Sequence, residues 1–134
     1  MRYLDTSAFL KVLVREAHSD AMVAAVDGHE LWSSSLLAVE AHRAAMRLGL
    51  EADEVDALLD DVSLVLPGTS TFLVARSIGG AELRALDALH LATAVEIGSE
   101  LESLVTYDRR LAAAAASLGV AVSSPGLADG WWAS

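Results

Sequence analysis

The sequence predicts an α/β protein, a three-layer α/β/α sandwich with a mostly parallel central sheet. Short apolar segments of strand length alternate with longer helical segments along the whole chain. This alternation is typical of a parallel sheet that is covered by helices on both faces. The length of 134 residues suits one compact domain and leaves little room for a second. We therefore expect residues 1–134 to form a single domain.

The first elements are predicted from the opening of the chain. Arg2-Tyr3-Leu4 is typical of a short strand, and Asp5-Thr6-Ser7 carries small oxygen-bearing side chains that favour the start of a helix. Up to residue 49, the pattern then predicts helices at residues 8–14 and 19–26, a strand at residues 30–33, and a helix that Ser34 or Ser35 caps and that ends near Gly49.

Glycine and proline divide the remainder of the chain into further elements. Residues 53–59 keep their apolar side chains on one helical stripe. Gly79-Gly80 separates two helical segments, and the alanine run at residues 112–116 favours helix. The predicted helices here are residues 53–59, 70–78, 81–97 and 108–118, and the predicted strands are residues 63–66, 103–107 and 120–122.

The charge balance limits which partners the protein can bind. Nine Lys and Arg oppose 19 Asp and Glu, so the formal net charge is −10, which excludes a basic surface all over the molecule. The protein can therefore bind a polyanion only through a local arginine patch or through bound metal cations. The absence of cysteine excludes disulfides, thiol catalysis and cysteine-ligated zinc. Neither a secretory leader nor a membrane-spanning apolar run is evident, so we expect a cytoplasmic protein.

Two acidic residues directly follow predicted strands. Asp5 comes after Arg2-Tyr3-Leu4, and Asp108 comes after the strand at residues 103–107. Ligands of an open parallel sheet bind outside the carboxyl ends of its strands, so both side chains are predicted to lie at the same edge. Each acid could instead serve only as the N-cap of the following helix. For either acid alone, the capping and the functional interpretations are equally well supported. The presence of both acids at one edge favours a functional site.

Asp87 lies in a segment, residues 85–95, that is apolar nearly all the way round. Such a helix is predicted to be buried, and a buried carboxylate must shift its pKa, pair with a cation or bind a metal ion. A structural salt bridge is the alternative, but the buried position of Asp87 favours a functional role. His90, one turn further on, could be a ligand, but a single histidine in an apolar helix is more often a hydrogen-bonded core residue, and we assign it to the core.

Glu40 is a less conspicuous candidate. Arg43 and Arg47 follow it at helical spacings of three and seven residues, so an exposed ion pair within the helix is a serious alternative. On its own, this glutamate would not be singled out.

Taken together, these segments resemble the PIN-domain ribonucleases. The opening at residues 3–8 resembles the start of that family, residues 86–94 resemble its central acid-bearing helix, and residues 105–111 resemble its late strand-to-helix acid. Residues 34–40 supply the remaining acid, and Gly119-Val120 followed by Pro125 fits the usual ending. The match covers nearly the whole chain in the right order. The length is similar to that of VapC, the toxin of VapBC-type toxin–antitoxin pairs.

The resemblance implies a PIN-like fold and a divalent-metal-dependent endoribonuclease that cleaves RNA. It also implies a homodimer and neutralisation by a cognate VapB-like antitoxin. Four residues form the implied catalytic and metal-binding set, called the acidic cluster below: Asp5, Glu40, Asp87 and Asp108. Three hydroxyl residues would hold these carboxylates or their waters: Thr6, Ser7 and Thr106. The middle of the chain, residues 53–82, carries no motif of the family.

The chemistry of four carboxylates supports a metal site independently. Converging carboxylates repel one another, and without a cation some would take up a proton. Oxygen ligands suit Mg²⁺ or Mn²⁺, and such a metal can activate a water and neutralise charge on the phosphate. Asp5, Asp87 and Asp108 would bind directly, and Glu40 directly or through water. Arginines could contact the RNA backbone, and the candidates are Arg15, Arg43, Arg47, Arg84, Arg109 and Arg110.

Other protein classes share parts of this pattern. A response-regulator receiver domain needs a lysine beyond the late strand, whereas the only lysine is Lys11. A haloacid-dehalogenase-type phosphatase needs a second aspartate two residues after the first, where this chain has Ser7. A catalytically inactive PIN module that only binds RNA or a protein partner stays as the alternative, although the four acids disfavour it. Trp131-Trp132 is predicted either to pack on its own domain or to anchor a partner.

Overall fold

The structure is a computed structural model that describes residues 1–134. Its middle layer is a five-stranded sheet. Its strands are β1 (Arg2–Leu4), β2 (Leu31–Ser34), β3 (Val62–Val65), β4 (Ser103–Val105) and β5 (Val122–Ser123). The strand order is β3-β2-β1-β4-β5, and every pair of neighbours is parallel. The first strand of the chain is therefore the central one, with β2 on one side and β4 on the other.

Helices connect and cover these strands. They are α1 (Thr6–Leu13), α2 (Ser19–Val26), α3 (Leu36–Leu48), α4 (Ala52–Leu59), α5 (Thr69–Ala75), α6 (Ala85–Ile97) and α7 (Arg109–Ser117), with short 3-10 helices at Gly98–Glu100 and Trp131–Ala133. The predicted α/β/α fold class is confirmed, and the sheet is wholly parallel. No helix is both long enough and apolar enough to cross a membrane.

Side chains that alternate along β1 define the two faces of the sheet. Tyr3 is buried on one face, in a cluster with Leu91 of α6 and Leu111 of α7. Leu4 is buried on the opposite face and packs with Ala8 of α1. A further cluster joins α1, α3, α4 and β3 and consists of Phe9, Leu37, Ala41, Ala45, Val55, Leu59 and Val62. Apolar cores on both faces explain why Tyr3 and Leu4 are both buried.

The predicted elements are present with shifted ends. The helix predicted at residues 81–97 begins only at Ala85. Gly79 and Gly80 adopt left-handed conformations, with φ of 77° and 76°, and Arg84 is extended as the N-cap of α6. The strand predicted at residues 103–107 ends at Val105. The residues that follow it are turned by side-chain hydrogen bonds, which also shape the candidate site.

The C-terminal segment packs on its own domain, which is one of the two alternatives for Trp131-Trp132. The two indole rings meet edge to face with centroids 6.4 Å apart. The guanidinium of Arg109 lies 5.5 Å from the Trp131 ring centroid and donates a hydrogen bond to the backbone carbonyl of Ser134. These contacts hold the last residues against the start of α7.

Candidate active site

Asp5 lies at the carboxyl end of the central strand, where β1 passes into α1, and the residue is only 3% exposed. Its carboxylate accepts a hydrogen bond from the Ala8 N–H at 2.9 Å and so caps α1. The Ser7 hydroxyl lies 2.7 and 2.9 Å from its two oxygens, and the Thr106 hydroxyl donates to it at 2.6 Å. Burial raises the pKa of Asp5 in spite of these donors. The carboxylate is therefore held firmly without a full counter-charge.

Two hydroxyl groups connect the ends of β1 and β4. The Thr106 hydroxyl, which donates to Asp5, also accepts a hydrogen bond from the Asp108 N–H at 3.0 Å. The Ser7 hydroxyl accepts a hydrogen bond from the Tyr107 N–H at 2.8 Å. Backbone groups that leave the sheet at β4 are thus paired with side chains that also hold Asp5. Two of the three hydroxyl residues in the predicted set therefore contact an acid of the cluster in this way.

Asp108 begins the helix that follows β4. Its carboxylate accepts a hydrogen bond from the Leu111 N–H at 2.9 Å and so caps α7. Because β1 and β4 are parallel neighbours, Asp5 and Asp108 lie at the same edge of the sheet, as predicted. Both acids are helix caps as well, so the structural and the functional interpretations of each residue are compatible.

Asp87 lies in the first turn of α6, with its side chain 16% exposed. Arg84 bridges it to Asp108, since Arg84 Nε lies 3.2 Å from an oxygen of Asp87 and Nη2 lies 3.3 Å from an oxygen of Asp108. Burial and the charge of Asp108 raise the pKa of Asp87, and Arg84 offsets only part of this rise. The salt bridge that was the alternative to a functional role is present, and it also links two acids from different helices.

Glu40 reaches the same region from α3 through His90 of α6. The His90 Nε2 lies 2.7 Å from a carboxylate oxygen of Glu40. Burial alone would raise the pKa of Glu40, but the hydrogen bond and charge of His90 lower it overall. An ionised carboxylate only accepts hydrogen bonds, so Nε2 is the donor. The other ring nitrogen, Nδ1, lies 2.7 Å from the Tyr3 hydroxyl, and the Thr6 hydroxyl lies 3.4 Å from Nε2.

His90 has a role that the sequence did not indicate. It is a buried, hydrogen-bonded residue, as predicted, but one of its partners is an acid of the cluster. The alternative ion pairs of Glu40 with Arg43 and Arg47 are not formed, because its partner is His90. No local spacing could have indicated this contact, because Glu40 and His90 are 50 positions apart in the sequence.

Among the arginines predicted to contact RNA, Arg84 alone forms an ion pair with the acidic cluster. Arg15 instead forms an exposed ion pair with Asp20. Arg109 is engaged by the C-terminal segment. The others are exposed and form no ion pair with the four acids: Arg43, Arg47 and Arg110.

Comparison with known proteins gives a match along most of the chain. The PIN domain family matches residues 2–117. The chain belongs to the PIN domain family. All four acids lie within the part that matches the PIN domain, whereas β5 and the C-terminal tryptophans lie beyond it.

Relatives of this PIN domain are found in Mycobacterium tuberculosis. Ribonuclease VapC47 of strain CDC 1551 / Oshkosh is 37% identical, with 94% of this chain and 98% of the relative covered. Ribonuclease VapC46 of strain H37Rv is 39% identical, with 92% and 96% covered. Ribonuclease VapC35 is 42% identical, with 96% and 99% covered. The similarity thus extends over almost the whole length of each relative.

The acidic cluster of this PIN domain fits a divalent cation in its donor chemistry. All four side chains offer the oxygen ligands that Mg²⁺ and Mn²⁺ prefer. Burial raises the pKa of Asp5, and burial together with the charge of Asp108 raises that of Asp87, so a cation close to them would stabilise both ionised carboxylates. As the side chains are arranged, no three His, Asp or Glu residues form a group that could hold a metal ion. A shared ion would therefore require side chains of the cluster to move.

Proposed function

We propose that this chain is a metal-dependent endoribonuclease and acts as the toxin of a type II toxin–antitoxin pair. The observation that carries the proposal is the set of linked acids at one edge of the sheet. Thr106 links Asp5 to the start of α7, and Arg84 links Asp87 to Asp108. Membership in the PIN domain family and similarity to proteins named ribonuclease VapC support the same activity. In this proposal, residues 1–134 form a single PIN domain that works in the cytoplasm.

The four acids share the work of the proposed site. Asp5, Asp87 and Asp108 would hold Mg²⁺ or Mn²⁺ directly, and Glu40 would hold it directly or through water. The bound ion supplies positive charge for the phosphate and lowers the pKa of water. The chain's own hydroxyls orient the carboxylates, because Ser7 and Thr106 both contact Asp5. His90 holds Glu40 through its hydrogen bond at 2.7 Å, and the Thr6 hydroxyl lies 3.4 Å from the same ring nitrogen.

Cleavage of an RNA panel with and without EDTA tests the activity. We expect cleavage only with Mg²⁺ or Mn²⁺, and products with 5′-phosphate and 3′-hydroxyl ends. The matched inactive variant is Asp87→Asn, which keeps the shape of the side chain. Cleavage that EDTA leaves undiminished would contradict the proposal. Products with 2′,3′-cyclic phosphate ends would contradict it as well, because they result from attack by the ribose 2′-hydroxyl.

The proposal includes a VapB-like antitoxin that inhibits by placing a basic side chain in the acidic cluster. Arg84 supports this geometry, because its guanidinium fits within hydrogen-bond distance of both Asp87 and Asp108. A chain of net charge −10 also favours a cationic partner segment. Inhibition should weaken as salt rises if exposed charges dominate. Cross-links that place the antitoxin wholly away from the acidic cluster would refute this arrangement.

The proposal also includes a homodimer. The segment from β3 into α5 exposes large apolar side chains, with Leu66 81%, Phe72 52% and Leu73 51% exposed, and a second copy that covered them would remove this apolar surface from water. Light scattering after size-exclusion chromatography should give twice the mass of the chain, and Phe72→Asp should reduce it to the monomer. A monomeric wild type at working concentration would contradict this part of the proposal.

An inactive PIN module that only binds RNA or a protein remains a second candidate. The observation in its favour is that Arg84 and His90 occupy carboxylates of the cluster and that no three-residue metal group is formed. Isothermal titration with Mg²⁺ and Mn²⁺ separates the two candidates. Binding that Asp87→Asn abolishes supports the enzyme, whereas RNA binding without metal binding or cleavage supports the inactive module.

A further inference from the structure

The side chain of Arg84 is held by the acidic cluster from an exposed position. It is 69% exposed, while its partners Asp87 and Asp108 are 16% and 26% exposed. Each partner accepts one N–H of the guanidinium, at 3.2 and 3.3 Å. A guanidinium has five N–H donors, so these two bonds leave three of its donors unused.

Arg84 also interacts electrostatically with more of the acidic cluster than its two bonded partners. The charges of Asp87, Asp108 and Glu40 all raise the pKa of its guanidinium, so the side chain acts as a counter-ion to acids from three different helices. A divalent cation shared by these carboxylates would take over the same negative charge. It would also repel the guanidinium, because both are cations within a few ångströms of each other.

We propose that Arg84 has two positions in the working cycle, a claim that rests on the proposed function. It neutralises Asp87 and Asp108 in the metal-free protein and competes with the divalent cation for them. Once the cation is bound, the released guanidinium contacts a phosphate of the RNA backbone, so Arg84 is a substrate-binding residue. Arginine suits this contact because its planar fork matches phosphate oxygens.

The surrounding charges favour Arg84 over the other arginines for this contact. Arg109 is adjacent to Asp108 in sequence but is bound to Trp131 and the Ser134 carbonyl. Arg15 is paired with Asp20. Arg84 is already within hydrogen-bond distance of two of the proposed metal ligands, so a phosphate held at that metal would lie within reach of its side chain.

The test compares Arg84→Gln with Arg76→Gln, which removes the same charge from an exposed arginine at the end of α5. Mg²⁺ and Mn²⁺ binding is measured by isothermal titration without RNA. Binding of a labelled 2′-O-methyl oligoribonucleotide of mixed sequence is measured by fluorescence anisotropy at saturating Mg²⁺ and several KCl concentrations. Arg84→Lys, which keeps the charge but not the fork, serves as the conservative variant, and thermal melts check that each protein is folded.

We expect the two affinities of Arg84→Gln to move in opposite directions. Loss of two exposed ion pairs should tighten metal binding about three- to ten-fold relative to Arg76→Gln. Oligonucleotide binding should weaken. In a plot of the logarithm of the binding constant against the logarithm of the KCl concentration, the magnitude of the slope should fall by about 0.7, as for one lost contact to a single strand. Arg84→Lys should lie between the wild type and Arg84→Gln in both measurements.

The outcomes also separate this inference from the proposed function. Equal metal affinities for Arg84→Gln and Arg76→Gln would overturn the competition, while an unchanged salt slope would overturn the phosphate contact. If Arg84→Gln does not fold, equal metal and oligonucleotide affinities for Arg84→Lys and the wild type would overturn the inference instead. A wild type that binds neither Mg²⁺ nor Mn²⁺ would overturn the metal-dependent function itself.

Discussion

The hydroxyl of Thr106 offers the sharpest test of how the candidate site is held together. The residue is completely buried, and its hydroxyl donates to Asp5 at 2.6 Å while it accepts from the Asp108 N–H at 3.0 Å. Thr106→Val keeps the shape and removes both hydrogen bonds. The variant leaves a buried carboxylate with one donor fewer and a backbone N–H without its partner.

The expected cost follows from these two bonds. A hydrogen bond to a charged group contributes about 1.5–3 kcal/mol and a neutral one about 0.5–1.5 kcal/mol, so Thr106→Val should lower the free energy of unfolding by about 2–4 kcal/mol. Thr106→Ser keeps the hydroxyl and loses one methyl group, which costs about 1 kcal/mol. The difference between the two variants isolates the hydroxyl.

Urea denaturation in EDTA measures both variants in the metal-free state. The midpoints should fall in the order wild type, Thr106→Ser, Thr106→Val, with a similar dependence on urea for all three. A valine variant that loses less than about 1 kcal/mol would refute the reasoning, since the lost bonds cannot then be as strong as the geometry indicates. So would a serine variant that is as unstable as the valine variant.

Three other outcomes concern Asp87 and Tyr3. Metal-free Asp87→Asn should be as stable as the wild type or slightly more stable, because burial and the neighbouring Asp108 raise the pKa of this carboxyl. Thermal melts should show that the variant loses most of the stabilisation by Mg²⁺. Strong destabilisation of the variant, without any Mg²⁺ effect on the wild type, would make Asp87 purely structural. A raised folded-state pKa costs stability above that pKa, and the cost disappears as pH falls through it. Any advantage of Asp87→Asn in melting temperature should therefore shrink from about pH 7 towards pH 4, and a widening gap would count against this sign. Tyr3→Phe removes the hydroxyl partner of His90 Nδ1 and should lower the free energy of unfolding in urea by about 1–2 kcal/mol. RNA cleavage should also be slower, because His90 holds Glu40. Unchanged stability would mean that the Tyr3 hydroxyl does not stabilise the fold through His90.

The sequence predicted the parts of the site that local rules determine. Asp5 and Asp108 each follow a strand and precede a helix, and their capping bonds confirm that placement. Parallel strands joined by helices put both acids at one edge, which the pairing of β1 with β4 confirms. Such features depend on alternation of elements and on small polar side chains at helix starts, and both are visible in the order of residues.

The side-chain partners could not be predicted in the same way. Glu40 and His90 are 50 positions apart, and Arg84 and Asp108 are 24 apart. Nothing in the local pattern distinguishes these pairs from the other acids and bases of the chain. The choice of Arg84 depends on the turn after Gly79-Gly80, which delays the start of α6 and leaves Arg84 at its N-cap. The sequence predicted a helix through that position, with no reason to aim its arginine at the cluster.

The central position of β1 has a consequence for a chain that is still being made. Asp5 and Thr106 are 101 positions apart, and β1 needs β4 as its second neighbour. A ribosome therefore delivers Asp5 early and delivers its hydroxyl partner and Asp108 only after most of the chain has emerged. Until then, one edge of the central strand is open, and contacts of such long sequence separation form late. Products that end before β4 lack both Thr106 and Asp108, so the topology itself postpones the proposed nuclease activity until synthesis is nearly finished.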